Sequence, residues 1–422
     1  MSLRESLRAR GPVRSPARPS SPQPRRAGRA DRGALAAGAS FLAVALWGLA
    51  VQAAEFERTF SYPADRLTVT TLVGEVRVEK GTGSEIQVTV HVRGQDADEK
   101  WIRFDSDTGS SPRLTIQFPL DEHRKYVYPG LGRSSRTSFT PRDGRHSGDN
   151  WLEDLLDWSS GDRIEVRGQP WSDALELWTE VVVRVPDSRD ATVNLGAGRI
   201  EALDVQADLE LRSRSGPVKA AGITGDLVAD TGSGAIRVER VRGEVLIDTG
   251  SGGVELHEVS GARSVHVDTG SGSVDVSGIE AGDLLIDTGS GGVDLADIDV
   301  KSLVVDTGSG GVDGEAIATD EARIDTGSGG VALDLVRMGH GPYDIDTGSG
   351  GIRLGLPEEI SAEFDAETGS GSIVADIDGV SLGRRNRHEA RFTVGGGDAQ
   401  VTLSTGSGSI RLSQGGSSVG RR

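Results

Sequence analysis

Seven copies of one carboxylate-bearing pentapeptide are the residues best placed to do chemistry in this chain. Asp230-Thr231-Gly232-Ser233-Gly234 recurs letter for letter from Asp248, Asp268, Asp287, Asp306, Asp325 and Asp346. Asp-Thr-Gly-Ser is also the local text of aspartic proteases, and Asp107-Thr108-Gly109-Ser110 carries it once more upstream. That chemistry needs two such loops face to face, so that paired carboxylates share a proton and activate water. Copies spaced 18, 20, 19, 19, 19 and 21 residues apart predict instead a column down one side of a stack. A stacked carboxylate has two simpler uses. It accepts the amide two residues on and fixes a bend, or it shares a calcium ion with a neighbour ~4.8 Å away. The bend-forming role is the expectation and calcium the alternative; no other cofactor is implied. The seven His lack ligand spacing, and the chain has no Walker-type lysine loop and no dinucleotide fingerprint.

The elements that would hold such a column follow from the letters around it. One and three places before each Asp stand aliphatics, as in Val245 and Ile247, Val265 and Val267, or Leu284 and Ile286. Six and eight places after it stand another pair, as in Val254 and Leu256, Val274 and Val276, or Val293 and Leu295. Alternation sends these aliphatics and the Thr inward and the Asp outward. Each coil then reads as one strand into Asp-Thr, a Gly-Ser-Gly bend, and a second strand. The fold class is all-β, a parallel β-helix of about a dozen ~19-residue coils, right-handed by the crossover rule. Weaker copies extend the array to Asn194 and Arg212 upstream and to Glu367 and Ser404 downstream. The inward Thr column is expected to bond from rung to rung or to the bend backbone. The bend glycines are expected to supply positive φ or close backbone approach.

Five segments are expected. Residues 1–53 combine a basic leader with nine Arg and two acids and an apolar run closing on Val51-Gln52-Ala53. These are the parts of a secretory signal peptide or, if uncleaved, of a membrane anchor. Residues 54–119 hold alternating strands that open the stack. Residues 120–180 read as an inserted loop and a short amphipathic helix at 151–158, with Trp151, Trp158, Trp171 and Trp178 close together; such a segment caps an open strand edge or offers rings to sugars. Residues 181–412 are the repeat proper, and 413–422 a flexible tail. The absence of cysteine excludes disulfides, thiolate metal sites and a lipidated-cysteine anchor. Beyond residue 53, 37 basic residues face 62 acidic ones, so nucleic acid and anionic lipid are poor partners.

The aliphatic-x-aliphatic-Asp-Thr-Gly-Ser-Gly-x-Val units, the preceding Val181-Val182-Val183-Arg184-Val185-Pro186 strand, and the closing Gly395-Gly396-Gly397 with Val401-Thr402-Leu403-Ser404-Thr405-Gly406-Ser407-Gly408 resemble the bacterial "putative adhesin" domain family, domain of unknown function 4097. The likeness runs over roughly 181–412. It implies an exported β-helix, sometimes attached to envelope-stress membrane proteins, with no established catalytic residues. The expected function is therefore non-catalytic: an exported periplasmic, surface or extracellular protein whose acidic rod meets an envelope macromolecule or itself. Its contact residues would lie in the mixed outward column of Leu246, Leu285 and Val304, and in the insertion at Trp151 and Trp158. A β-helix polysaccharide lyase or hydrolase and a calcium-stabilised rod are the alternatives. The former would need acids beside Arg or Lys in an aromatic-lined groove, and no aromatic stands between Thr179 and His340 apart from the two imidazoles.

Overall fold

A computed structural model of the chain describes residues 55–140, 163–380 and 388–415. The chain comprises two units, Met1–Ala50 and Val51–Arg422, and the described residues belong to the second. They form a β-solenoid. One flat side stacks parallel segments in register from 66–71 of Arg66–Lys80 through 190–195, 209–213, 227–231 and 245–249 to 265–269, 284–288, 303–307 and 322–326. Asp faces Asp and Thr faces Thr at every step from Asp230-Thr231 to Asp346-Thr347. A second side stacks Val254, Val274, Val293, Val312, Val331 and Ile352 in the same way. The aliphatics one and three places before the Asp, and those six and eight places after, are buried. At ~25 cal/mol per Å² of apolar surface removed from water, this continuous aliphatic interior is the main stabilising term.

Each coil has a third segment that the repeat pattern hides. Val241, Val259, Ile279, Ile298 and Ile317 form one more inward column, buried and paired rung to rung. The chain enters it through a left-handed corner at Gly222, Arg240, Glu258, Gly278, Asp297 and Ala316, with φ between 55° and 72°. Four of these six are not glycine, and each bears a left-handed backbone cost of roughly 1–2 kcal/mol. The corner is therefore imposed by the stack and leaves no common letter in the sequence.

The bend is held by threonine, where the aspartate was expected. The amide two residues after each Asp is already taken by the preceding coil, as in Gly289 N–H to the Thr269 carbonyl at 3.2 Å and Gly308 N–H to that of Thr288 at 3.2 Å. An Asx turn cannot form there because parallel pairing consumes its donor. The Thr288 hydroxyl donates to the Gly272 carbonyl at 3.1 Å and accepts from Gly291 N–H at 3.0 Å. The same pair of bonds recurs at Thr249, Thr269, Thr307, Thr326 and Thr347. The Asx turn does occur at Asp107, whose Oδ1 accepts Gly109 N–H at 2.9 Å in the hairpin before the repeat. Thr288→Val keeps the shape but strands a buried donor and acceptor, so it is expected to cost about 2–4 kcal/mol. Thr288→Ser, which removes one methyl, should cost only about 1 kcal/mol; urea denaturation of both variants gives the comparison.

Antiparallel strands close the ladder. Phe56–Tyr62 and Ile86–Arg93 cover one side at the first coil, and Arg103–Asp107 pairs with Arg113–Gln117 on the other. At the far end Glu389–Val394 runs antiparallel to Ala362–Thr368, with Phe364 and Phe392 stacked 4.8 Å apart. Reversed strands of this kind end a sheet that could otherwise template another chain. The described part of 120–180 is a small sheet of Lys125–Val127, Arg136–Phe139, Ile164–Arg167 and Leu175–Glu176. It sits against the bend edge of the first coils, through Tyr128 Oη to Glu75 Oε1 at 3.2 Å and Thr137 Oγ1 to Ser215 Oγ at 2.7 Å. Leu72, Val73 and Ala197 stand there, fully buried, in place of exposed bend residues, and Leu195 takes the place of the inward Thr. The helix expected at 151–158 lies outside the described residues.

Candidate interaction face

Leu246, Leu285 and Val304 come together in one outward column, as alignment on the Asp predicts. Register completes it as Val228, Leu246, His266, Leu285 and Val304 on five consecutive rungs. Val228 and His266 stand at the same spacing from the Asp as the three aliphatics and belong to the column with them. Leu246 is 43% exposed, a large value for a leucine within a stacked ladder. Above the column stand Arg323 and Asp344, and below it Glu210. Trp151 and Trp158 lie outside the described residues. Their neighbours Trp101 and Trp178 pack against the core, and Trp171 carries the Arg167 guanidinium over its ring at 3.6 Å.

Acids flank the apolar column on both sides. Two residues along each strand lies the repeat Asp, exposed at Asp268, Asp287, Asp306, Asp325 and Asp346. Two residues the other way lie Asp226, Glu244, Asp283 and Glu321, interspersed with Ser264 and Ser302. The Asp226 carboxylate accepts the Glu244 amide at 2.9 Å, and Glu244 pairs with Arg263. A further acid ladder, Asp275, Asp294 and Asp313, runs on the far side of the bend.

These ladders strain the charge balance. Partial burial, then the neighbours Asp287 and Asp325, raise the Asp306 carboxyl above its ordinary value of 3.8, against a lowering by Arg323. Asp294 is raised likewise by burial and then by Asp313 and Asp275. A carboxyl raised in the folded state favours folding only where it is protonated. That contribution is complete below 3.8 and is lost as pH climbs through the higher folded value. At neutral pH the ladder is therefore a net repulsion, roughly 1 kcal/mol per neighbouring pair in water before salt screening. Asp306→Asn is expected to raise the melting temperature at pH 7 and low salt. The gain should shrink in 0.5 M salt and vanish below about pH 4.

The repeat carboxylates lie along a single parallel ladder, so no two of them oppose across a cleft as acid–base chemistry on paired Asp requires. Among the described residues no three His, Asp or Glu side chains gather as a metal site. What the geometry offers is an outward column of Val228, Leu246, His266, Leu285 and Val304 between two columns that carry carboxylates.

Residues 244–413 match the family model Toastrack DUF4097. The coils before this matched segment, from 66–80 to 227–242, continue its ladder in the same register. A comparison with curated proteins found no match. Among solved structures, that of a "putative cell adhesion protein" from Clostridium sporogenes ATCC 15579 aligns over 86% of this chain and 100% of its own. Identity is 12% and the TM-score 0.22, too low for the pairing to carry any argument.

Proposed function

We propose that the chain is a non-catalytic, exported envelope or cell-surface scaffold whose acidic Toastrack stack presents one face to another macromolecule. One observation carries this reading. The buried threonines and close-packed glycines of the repeat are consumed in holding coil to coil, while the same register lines up an outward, mostly aliphatic column, with Leu246 the most exposed, between two columns that carry carboxylates. A repeat built for catalysis would break its periodicity to gather unlike groups at one place; here like groups stack. The apolar run at 34–51, with its small-residue exit, supports export.

The test is capture from envelope fractions by the purified protein, set against the variant Leu246→Asp/Leu285→Asp/Val304→Asp. All three side chains point outward, so the variant should stay folded, its melting temperature lowered only by the added like charges, yet lose its partner. A wild-type protein that bound neither cells, envelope fractions nor itself would overturn the reading. Export is checked separately by fractionation and by the N-terminal mass of the mature chain. Cytoplasmic recovery would remove that part of the proposal.

A further inference from the structure

The occupant of this face can be specified more closely, on the basis of the binding-scaffold reading above. We propose that the strip centred on Leu246, His266 and Leu285 docks a basic amphipathic α-helix contributed by a partner polypeptide. Three features of the face point to it.

The first is length. The apolar column covers five rungs, and at ~4.8 Å between strands its ends are roughly 19 Å apart. A helix rising 1.5 Å per residue covers that distance in about 13 residues, an ordinary helix length. Its turns recur every ~5.4 Å, close to the rung spacing, so one apolar side chain per turn meets about one rung. An extended peptide laid along the column repeats on one face every ~6.8 Å and falls out of step with the rungs.

Width is the second. The two acid borders lie four residues apart along the strand, about 13–14 Å. A helix with its side chains is about 10–12 Å across. Seated on Leu246 and Leu285, it would hold its lateral positions above Asp287 and Asp268 on one side and above Asp283 and Glu244 on the other. Lys or Arg at those positions would meet a carboxylate on either flank.

Charge is the third, and it selects among occupants. A second copy of this chain would set acid columns against acid columns, as would an anionic lipid surface or a nucleic acid. The basic groups on or beside the strip are fewer than its acids: His266 within it, Arg263 paired with Glu244, Lys301 beside Ser302, and, one rung beyond either end, Arg323 and Arg212, the latter paired with Glu210. The apolar centre in turn favours a polypeptide over a purely cationic polymer, since Leu246 leaves a large part of its side chain in water until it is covered.

The experiment titrates the full chain with fluorescent 14-residue peptides. One carries a leucine stripe at helical spacing flanked by lysines. A second has the same composition in scrambled order, and a third replaces every lysine with glutamate. The expected result is binding of the first at least tenfold tighter than the second, none of the third, and weakening with added salt. Leu246→Asp/Leu285→Asp and, separately, Asp283→Lys/Asp287→Lys should each weaken the first peptide tenfold or more while the chain stays folded, the melting temperature shifting down in the former and up in the latter as like charges are added or removed. Equal binding of the scrambled peptide would reduce the site to charge alone and overturn the proposal. So would insensitivity to both variants, or self-association that the same variants abolish. If no peptide binds while envelope capture still depends on Leu246, Leu285 and Val304, the helix proposal falls and the scaffold reading stands. If neither is seen, both fall.

Discussion

Gly291→Ala is expected to destabilise its coil by about 4 kcal/mol or more, while Gly292→Ala next to it costs under about 1 kcal/mol. A Cβ on Gly291 would lie 1.7 Å from the Gly272 carbonyl oxygen and 2.5 Å from its carbon. Both are backbone atoms of the coil below, so no side chain can rotate away. The same oxygen accepts the Thr288 hydroxyl, which also receives Gly291 N–H. Parting the coils to admit a methyl would break both bonds and open the aliphatic interior beside them. A Cβ on Gly292 meets nothing nearer than the Gly311 oxygen at 3.7 Å, an ordinary contact. Neither position has left-handed φ, so the difference isolates coil-to-coil approach from backbone freedom. Because stacked repeats unfold in pieces, hydrogen exchange resolved by segment is the proper readout. Protection should fall around 272–310 in Gly291→Ala and persist elsewhere, and equal effects of the two substitutions would remove the close-approach argument.

Much of this architecture is legible in the letters because each inward position is chemically distinctive. Thr288 and Gly291 recur at fixed offsets, and the aliphatic pairs around them alternate with period two, so the strands, the bend and the count of coils follow. The outward column also follows, since Leu246, Leu285 and Val304 hold one offset from the Asp. The third segment of each coil does not. Its corner is occupied by Arg240, Glu258, Asp297 and Ala316, which share a backbone conformation and no side-chain chemistry. The role of the Asp was misread for a related reason. In an isolated turn its carboxylate would take the amide two residues on, as Asp107 does, but in the stack that amide belongs to the neighbouring coil. A local rule gave way to a non-local bond.

The order of the last coils was hidden by the regularity itself, and it yields the second large prediction. Chain order would place the coil of Thr368 on that of Thr347, with the coil of Thr405 last. In the structure Ala399–Thr405 lies between them: Thr405 faces Thr347 on one side and Thr368 on the other, and Ile410 faces both Ile352 and Ile373. Either order stacks Thr on Thr and aliphatic on aliphatic, so the sequence pattern cannot choose between them. Deleting the chain after Asp398 therefore removes a middle rung. It takes away Val401, Leu403, Ile410 and Leu412, each no more than 1% exposed, which at about 1.5–3 kcal/mol apiece amounts to roughly 6–12 kcal/mol of burial. It also removes the Thr405 hydroxyl bond to the Gly350 carbonyl at 2.8 Å and the Gly408 carbonyl that Thr368 uses at 2.7 Å. The expected outcome is loss of amide protection across 362–376 and 389–394 as one block, with 254–326 still protected. A stack in chain order would lose only its terminal coil and keep 362–376 protected. Protection of 362–376 in the truncated protein would thus show that the coil of Thr368 needs no strand from the chain's end, and the inserted order would be wrong.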